Sequence, residues 1–248
     1  MIILSVLFFI TAILYSSVGF GGGSTYLALL LIWDIPYFIF PIIALLCNII
    51  VVSGNSFNYL RAGNHNFKLL IPFLIGSVPL AFLGGTLKID KEIFEILLFF
   101  VLSIAGFLLL INNKSYANNN LIVKKLNFLI SLVIGSVLGL ISGIVGIGGG
   151  IFLSPILFLL KAEKPKIIVT TASLFILVNS ISGAFGQLTK ENIITEISNY
   201  IPLFICVFLG GLIGNYLNLK IFTSRVLAII TALLVMFVSI RMGIRIFL

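Results

Sequence analysis

The stretch VGFGGGST occupies residues 18–25, and a near copy, VGIGGGIF, occupies residues 145–152. Each glycine run lies near the middle of an apolar, uncharged stretch of 33 residues, 1–33 and 128–160. A straight helix of that length would measure about 50 Å, whereas the hydrocarbon core of a bilayer is roughly 30 Å thick. The sequence therefore predicts that each helix breaks at its glycines and then turns back or continues at a new angle.

The composition around these runs is that of an integral membrane protein. Of 248 residues, 60% are hydrophobic and 9% are charged, and the mean hydropathy is +1.29. A soluble domain carries about 25% charged residues. The net charge of +8 does not indicate nucleic-acid binding, because the Lys and Arg residues lie in short loops between apolar stretches. Six further stretches are long enough to cross a bilayer: 35–57, 69–87, 93–111, 166–188, 200–218 and 223–247.

The chain is predicted to consist of two homologous halves, as in many secondary transporters. We assign residues 1–112 to an N-terminal membrane repeat, 113–127 to a polar linker and 128–248 to a C-terminal membrane repeat, all within one membrane domain. The matching landmarks are the two GxGGG runs, Pro36 with Pro165, Ser53-Gly54 with Ser182-Gly183, and Gly84-Gly85 with Gly210-Gly211.

The positions of the basic residues favour inverted repeats. If all eight stretches cross the bilayer, Lys and Arg divide 8 against 7 between its sides. If both broken stretches are re-entrant hairpins, they divide ten against five, and the richer side is predicted to be cytoplasmic. The predicted fold is thus all-α, with a glycine-broken hairpin and three transmembrane helices in each half, and with both termini outside. The richer side carries Arg61, Lys68, Lys114, Lys124, Lys125, Lys161, Lys164, Lys166, Lys220 and Arg225, and the other carries Lys88, Lys91, Lys190, Arg241 and Arg245.

The glycine runs are candidates for an anion site. Glycine accepts positive φ, so a run can turn several N–H groups toward one point. A helix that begins at Ser24 or at Ile151 would add its positive dipole end there. Nucleotide loops are excluded by the missing third glycine of the dinucleotide fingerprint and by the absence of a lysine after either run. Close helix packing is the alternative reading of the two runs, and it is the favoured reading for Gly84, Gly85, Gly135, Gly139, Gly210 and Gly211.

Several polar residues in the apolar stretches are further candidates. Asn48 and Asn179 follow the two runs in corresponding stretches, and Thr171 is a small donor nearby. Asn48 and Asn179 could bind substrate or bridge helices, whereas Thr171 could bind substrate or bond back to its own helix. The predicted substrate-binding residues are Gly19, Gly21, Gly22, Gly23, Ser24, Asn48, Gly146, Gly148, Gly149, Gly150, Thr171 and Asn179.

The two runs and their flanks resemble those of the TauE/SafE sulfite exporter family. The matching segments are GFGGGSTYLALLL at 19–31 and GIGGGIFLSPILFLL at 146–160. The second is the closer match, with Pro155 and with TTASLF (170–175) opening the next stretch, whereas the first has Tyr26-Leu27-Ala28 where a proline is expected. The resemblance implies a multi-pass transporter of the bacterial inner membrane for sulfite, sulfonates or other small organic anions. It leaves open whether the halves are functionally equivalent.

The remaining motifs bear on energetics and on other function classes. We find no ATPase motif, no convincing proton carrier inside the membrane, no enzyme motif and no metal or cofactor site in the sequence. Export of an anion can be driven by the membrane potential, which supplies about 2.3 kcal/mol per charge per 100 mV. The prediction is therefore a non-enzymatic secondary transporter that works by alternating access. An anion channel that uses the broken helices as its filter is the alternative. The predicted partners are the anion and the lipid bilayer, without nucleic acid, and a homo-oligomer is left open.

Overall fold

The fold is all-helical throughout the described part of the chain. The computed structural model describes residues 1–17, 19–33, 35–111, 124, 126–191 and 193–217, with seven single positions between 233 and 244. Five helical segments there are long and apolar enough to cross a membrane. These findings support the predicted all-α, multi-pass membrane protein. Asp34, most of the linker 113–127 and most of the predicted stretch 223–247 lie outside the described residues.

Ten α-helices follow one another in the described ranges. In the N-terminal half they are α1 (Ile2–Ser16), α2 (Gly23–Ile32), α3 (Phe40–Arg61), α4 (Phe67–Thr86) and α5 (Lys91–Ile111). In the C-terminal half they are α6 (Phe128–Val145), α7 (Gly150–Leu159), α8 (Pro165–Leu188), α9 (Ile193–Ile197) and α10 (Ile201–Leu217). Single 3₁₀ turns lie at Tyr37–Ile39 and Ser198–Tyr200.

The helix starts follow local sequence signals in both halves. Pro41 and Pro165 lie in the first turns of α3 and α8, where a missing N–H costs nothing. Asn66 accepts a bond from the N–H of Leu69 at 3.2 Å and caps α4. Asn127 caps α6 in the same way through Leu129, at 2.9 Å. These caps fix where two apolar helices begin.

Small residues set the contact between α4 and α6. Gly135, Gly139 and Gly143 are spaced four residues apart, so they lie on one face of α6. A Cβ atom on any of them would collide with a main-chain carbonyl of α4. The helices therefore pack backbone to backbone, and the packing interpretation of Gly135 and Gly139 is confirmed. The carbonyls concerned belong to Phe73, Ser77 and Ala81.

Helices α1 and α10 make a similar contact, in which the glycines belong to α10. A Cβ atom on Gly210 would lie 2.5 Å from the carbonyl oxygen of Phe9, and one on Gly214 would collide with that of Ile13. Ser16 also donates to the carbonyl of Gly211 at 2.8 Å. In this pair, as in α4–α6, the residue numbers rise together, so both pairs are parallel.

The two halves also meet along α3 and α8, which run antiparallel. The Ser56 and Ser173 hydroxyls lie 3.1 Å apart. Toward the other end of the pair, a Cβ atom on Gly183 would lie 3.3 Å from the side chain of Leu45. α3 and α8 therefore carry the buried centre of the molecule and place residues of one half against the other.

Two contacts bring several loops together at one end of the helical bundle. The N–H of Lys124, ahead of α6, donates to the carbonyl of Lys161, after α7, at 2.9 Å. The amide of Asn66, between α3 and α4, donates to the Glu163 carboxylate at 3.0 Å. The start of α6, the end of α7 and the α3–α4 loop thus share one end, called here the Lys124 end.

Candidate functional site

Both glycine runs interrupt their helices. α1 ends at Ser16 and α2 begins at Gly23, while α6 ends at Val145 and α7 begins at Gly150. Each second helix starts one residue earlier than the sequence analysis expected. The residue before it, Gly22 or Gly149, has a left-handed backbone with φ of +79° and +76°. Only glycine adopts that conformation without strain, which explains why each run ends in this residue.

The first N–H groups of α2 and α7 have no main-chain acceptor among the described residues, and all but that of the half-buried Ile151 belong to buried residues. The first main-chain bonds of these helices run from Thr25 to Gly22, at 3.0 Å, and from Phe152 to Gly149, at 3.2 Å. No side chain caps either helix. In the described part of the chain, the preceding N–H groups have no main-chain acceptor, and a buried helix end without partners is unusual. These groups belong to Gly23, Ser24, Gly150 and Ile151.

The two runs meet at the side chain of Asn48, which is fully buried in α3. Its Nδ2 atom donates to the carbonyl of Ile147, in the second run, at 3.1 Å. A Cβ atom on Gly23 would lie 2.7 Å from the same Nδ2, and one on Gly148 would lie 3.0 Å from it. The Asn48 Oδ1 atom has no partner among the described residues. One carboxamide therefore contacts both glycine runs.

Ile176 lies between the same two runs from the α8 side. A Cβ atom on Gly21 would lie 3.1 Å from its Cγ2 atom, and one on Gly148 would lie 2.9 Å from it. A Cβ on Gly150 would collide with this side chain. The space between the runs is thus filled by an amide from α3 and an aliphatic side chain from α8.

The other predicted site residues divide into two groups. Gly19, Gly146 and Ser24 belong to the runs, and the buried Ser24 hydroxyl has no hydrogen-bond partner among the described residues. Thr171 and Asn179 instead donate within α8, to the carbonyls of Ile167 and Phe175, each at 2.8 Å. That is the alternative the sequence left open for Thr171, whereas for Asn179 the alternative was a bridge to another helix. Their role in binding stays a prediction, with a weaker geometric basis than that of Asn48.

Two residues near the runs were missed by the sequence analysis. A Cβ on Gly148 would lie 2.9 Å from the Ser180 hydroxyl, and one on Gly19 would collide with the Tyr59 hydroxyl. Both hydroxyls are buried without a partner among the described residues. A helical pattern could have indicated them, because Tyr59 shares a face of α3 with Asn48, and Ser180 follows Ile176 by one turn of α8.

The sulfite exporter TauE/SafE family model matches residues 4–242. The chain belongs to the TauE/SafE family. Two relatives match almost the whole length of this TauE/SafE protein, and both are named as probable membrane transporter proteins. One, from Sinorhizobium fredii, is 25% identical over 94% of this chain and 94% of its own length. The other, from Bacillus subtilis, is 22% identical over 95% of this chain and 94% of its own.

No solved structure matches the chain. TauE/SafE membership confirms the resemblance inferred from the two GxGGG segments, and it identifies a multi-pass membrane protein of transporter type. A role of the glycine runs in substrate binding by this TauE/SafE protein stays a prediction.

Proposed function

We propose that this protein is a secondary transporter that carries small anions across the bacterial inner membrane by alternating access. Sulfite, a sulfonate or another small sulfur-containing or organic anion is the proposed substrate. The observation that carries the proposal is the meeting of two glycine runs at Asn48, where two helices begin with N–H groups that have no main-chain acceptor among the described residues.

The anion preference follows from the chemistry of these groups. A buried N–H without an acceptor costs about 1–3 kcal/mol, so N–H groups at the start of α2 and α7 favour an acceptor ligand. Positive dipole ends of both helices add to that preference. The polar side chains found at the runs, Asn48, Ser24, Ser180 and Tyr59, are neutral and carry hydrogen-bond donors. Such a site can hold an anion and still release it, which transport requires.

We further propose that each half contains a re-entrant hairpin and that the halves are inverted. The main-chain bond between Lys124 and Lys161 supports a return of α6 and α7 to the end at which they started. In the first half, α1 runs parallel to α10. Tyr37 follows α2 and lines a cavity together with Lys190, which lies in the chain between α8 and α10. That cavity lies at the end where α10 and α1 begin. The loops at the Lys124 end are those that the charge distribution assigns to the cytoplasm.

Alternating access requires the residues between the runs to move. Asn48 and Ile176 fill the space that an anion would take, so binding must separate them. They lie on α3 and α8, the antiparallel pair at which the halves meet. In the proposed cycle these two helices shift against each other, and the Asn48–Ile147 hydrogen bond breaks and reforms.

Transport is tested with purified protein in liposomes. We expect saturable efflux of sulfite or a short sulfonate that speeds up when a potassium diffusion potential makes the interior negative. Counterflow, in which external anion accelerates exit of labelled internal anion, should also occur. A conductance that does not saturate, without counterflow, would assign the protein to the channels instead. Absence of any anion flux would overturn the proposed function.

The inverted topology is tested by cysteine accessibility. Single cysteines at His65 and Lys164, both exposed at the Lys124 end, should react with an impermeant maleimide from the cytoplasmic face. Cysteines at Lys88 and Glu191, both exposed, should react from the opposite face. Labelling of Lys164→Cys and Lys88→Cys from the same face would contradict the hairpin in the second half.

A further inference from the structure

A second polar feature lies away from the glycine runs, at the end of the bundle opposite the Lys124 end. It is a cavity of about 340 Å³, called here the lysine cavity. That volume is at the lower end of the range for small-molecule sites, roughly 300–1,000 Å³. Its charged lining residues are Lys88, Lys190 and Glu191. Most of its remaining lining is apolar: Phe38, Pro41, Leu87, Ile89, Phe94, Ile144 and Ile193.

The two ammonium groups converge on this cavity from different helix ends. Lys88 follows α4, and Lys190 follows α8 and is half-buried. The Lys190 Nζ atom donates to the Gln187 Oε1 atom at 2.8 Å. The fully buried Gln187 in turn donates to the carbonyl of Gly143 in α6 at 2.8 Å. Lys190 is thus held at the cavity wall through a hydrogen-bonded chain to the helix that ends at the second glycine run.

The cavity lining keeps a net positive charge, because it has two lysines against one carboxylate, Glu191. Across the described residues, the one ion pair within 4.0 Å joins Lys91 to Glu95 and includes neither cavity lysine. Partial burial, followed by repulsion from Lys88, lowers the pKa of Lys190 to about 8. Two cations that repel each other beside an apolar wall favour a ligand that brings negative charge between them.

The lysine cavity adjoins the second glycine run. Pro41 and Ile144 line it, and a Cβ atom on Gly146 would lie 2.5 Å from the Cα atom of Pro41. Gly146 opens the second run, directly after α6. Pro41 therefore contacts both the cavity and the backbone that we propose to bind the transported anion.

We propose that the lysine cavity is an outer binding site for a small organic anion, a sulfonate or carboxylate with an apolar body. The anionic group would bind between Lys88 and Lys190, and the body would contact Phe38, Phe94 and Leu87. The site would hold the anion one residue away from the second glycine run. This inference rests on the proposed function, because it places the cavity on the route of the transported anion.

Equilibrium binding of propanesulfonate to the purified protein, measured by calorimetry, tests the site. The double variant Lys88→Met/Lys190→Met should raise the Kd about tenfold or more, because it removes two charge-assisted contacts. Lys190→Arg should keep most of the affinity, since it keeps the charge. The matched control is Lys91→Met, which removes one charge from the same end, outside the cavity lining, and should leave the Kd within about twofold.

Four results would overturn the inference. The first two are an unchanged Kd in the double variant and an equal loss of affinity in Lys91→Met. The third is sulfate binding as tight as that of propanesulfonate. The fourth is phosphatidylglycerol displacing labelled propanesulfonate at lower concentrations than unlabelled propanesulfonate does. The last would assign the cavity to a lipid headgroup.

The binding assay needs no transport, so the cavity and the proposed function can fail separately. Absence of anion flux with intact lysine-dependent binding would overturn the function alone. Flux without lysine-dependent binding would overturn the cavity alone. Asn48→Ala alters the glycine-run site and should leave the lysine-dependent binding in place. Loss of that binding in Asn48→Ala would contradict the existence of two separate sites.

Discussion

The two glycine runs share a backbone plan, but their neighbours differ. Both have a left-handed glycine immediately before the new helix, Gly22 and Gly149. The first glycine of the first run, Gly19, lies against the Tyr59 side chain, whereas Gly146 lies against the main chain of Pro41. A side chain can rotate away, but the main chain of α3 cannot move without its helix. The second run is therefore the more firmly held of the two.

The helices that lead into the runs show the same kind of difference. α4 and α10 both bring glycines to main-chain carbonyls of their partners, Gly84 to α6 and Gly210 to α1. α6 also brings glycines of its own to α4. The two halves thus share a helix contact, and the α4–α6 pair has glycines on both partners.

The largest expected effect tests whether the second glycine run is held more firmly than the first. Gly146→Ala and Gly22→Ala both place a side chain at positive φ, which costs about 1–2 kcal/mol. At Gly146 the new Cβ would also lie 2.5 Å from the Pro41 main chain, whereas at Gly22 it would lie 3.1 Å from the Tyr15 ring. Overpacking should add about 1–3 kcal/mol at Gly146. Gly146→Ala should lower the thermal unfolding temperature in detergent and the rate of anion efflux more than Gly22→Ala does. Equal losses would contradict the difference between the two runs.

The next effect separates the two asparagines. Asn48→Ala removes the bond that joins α3 to the second run and leaves the Ile147 carbonyl unpaired. Asn179→Ala, the matched control, removes only a bond within α8. We expect efflux to fall about tenfold in the first variant and less than about threefold in the second. Equal efflux rates in the two variants would show that the contact between the halves is not used in transport.

A smaller effect concerns equivalent positions just before the runs. Tyr15 and Ser142 are 127 residues apart and correspond to each other in the two predicted repeats. Of the two, the Tyr15 hydroxyl bonds across its run, to the Thr25 hydroxyl at 2.7 Å. The buried Ser142 hydroxyl has no partner among the described residues. Tyr15→Phe should therefore lower the free energy of unfolding by about 1 kcal/mol, and Ser142→Ala should leave it unchanged or raise it. Chemical denaturation in detergent measures both, and a larger loss in Ser142→Ala would reverse the expectation.

The smallest effect depends on pH and belongs to the second run alone, because only that run adjoins the lysine cavity. A pKa lowered to about 8 means that Lys190 loses its proton as the pH rises from 7 to 9. Propanesulfonate affinity should then fall about threefold over this range. Lys88, Glu191 and Tyr37 also line the cavity, so the test compares wild type with Lys190→Met. A pH dependence that survives in that variant would assign the effect to another group.

Much of the fold was predictable because it depends on local or compositional signals. The breaks before Gly23 and before Gly150 follow from glycine within helices too long for a bilayer. The other described helices that were predicted follow from apolar length, and their boundaries lie within a few residues of the predicted ones. The assignment of Gly135 and Gly139 to packing followed from the preference for small residues where membrane helices touch.

The contacts at the site were not predictable, because they join positions far apart in the chain. From the sequence, Asn48 and Asn179 were equally good candidates for substrate binding. In the structure, Asn48 donates to Ile147 in the other half, while Asn179 donates within its own helix. Ile176 carries no polar signal at all, although it lies against glycines of both runs. A helical period shows which face of α3 or α8 is buried, but not which residue of the other half lies against it.

The sequence by itself determined that this protein is a helical membrane protein of the TauE/SafE family, broken twice at glycine, with its basic residues divided unevenly between the loops. Composition and spacing carry these properties, because a bilayer imposes them on each segment separately. Only the tertiary structure decided that both runs meet at Asn48 and that Lys88 and Lys190 share one cavity. Those arrangements depend on how α3, α4 and α8 pack together, and helix packing is set by shape complementarity between distant residues.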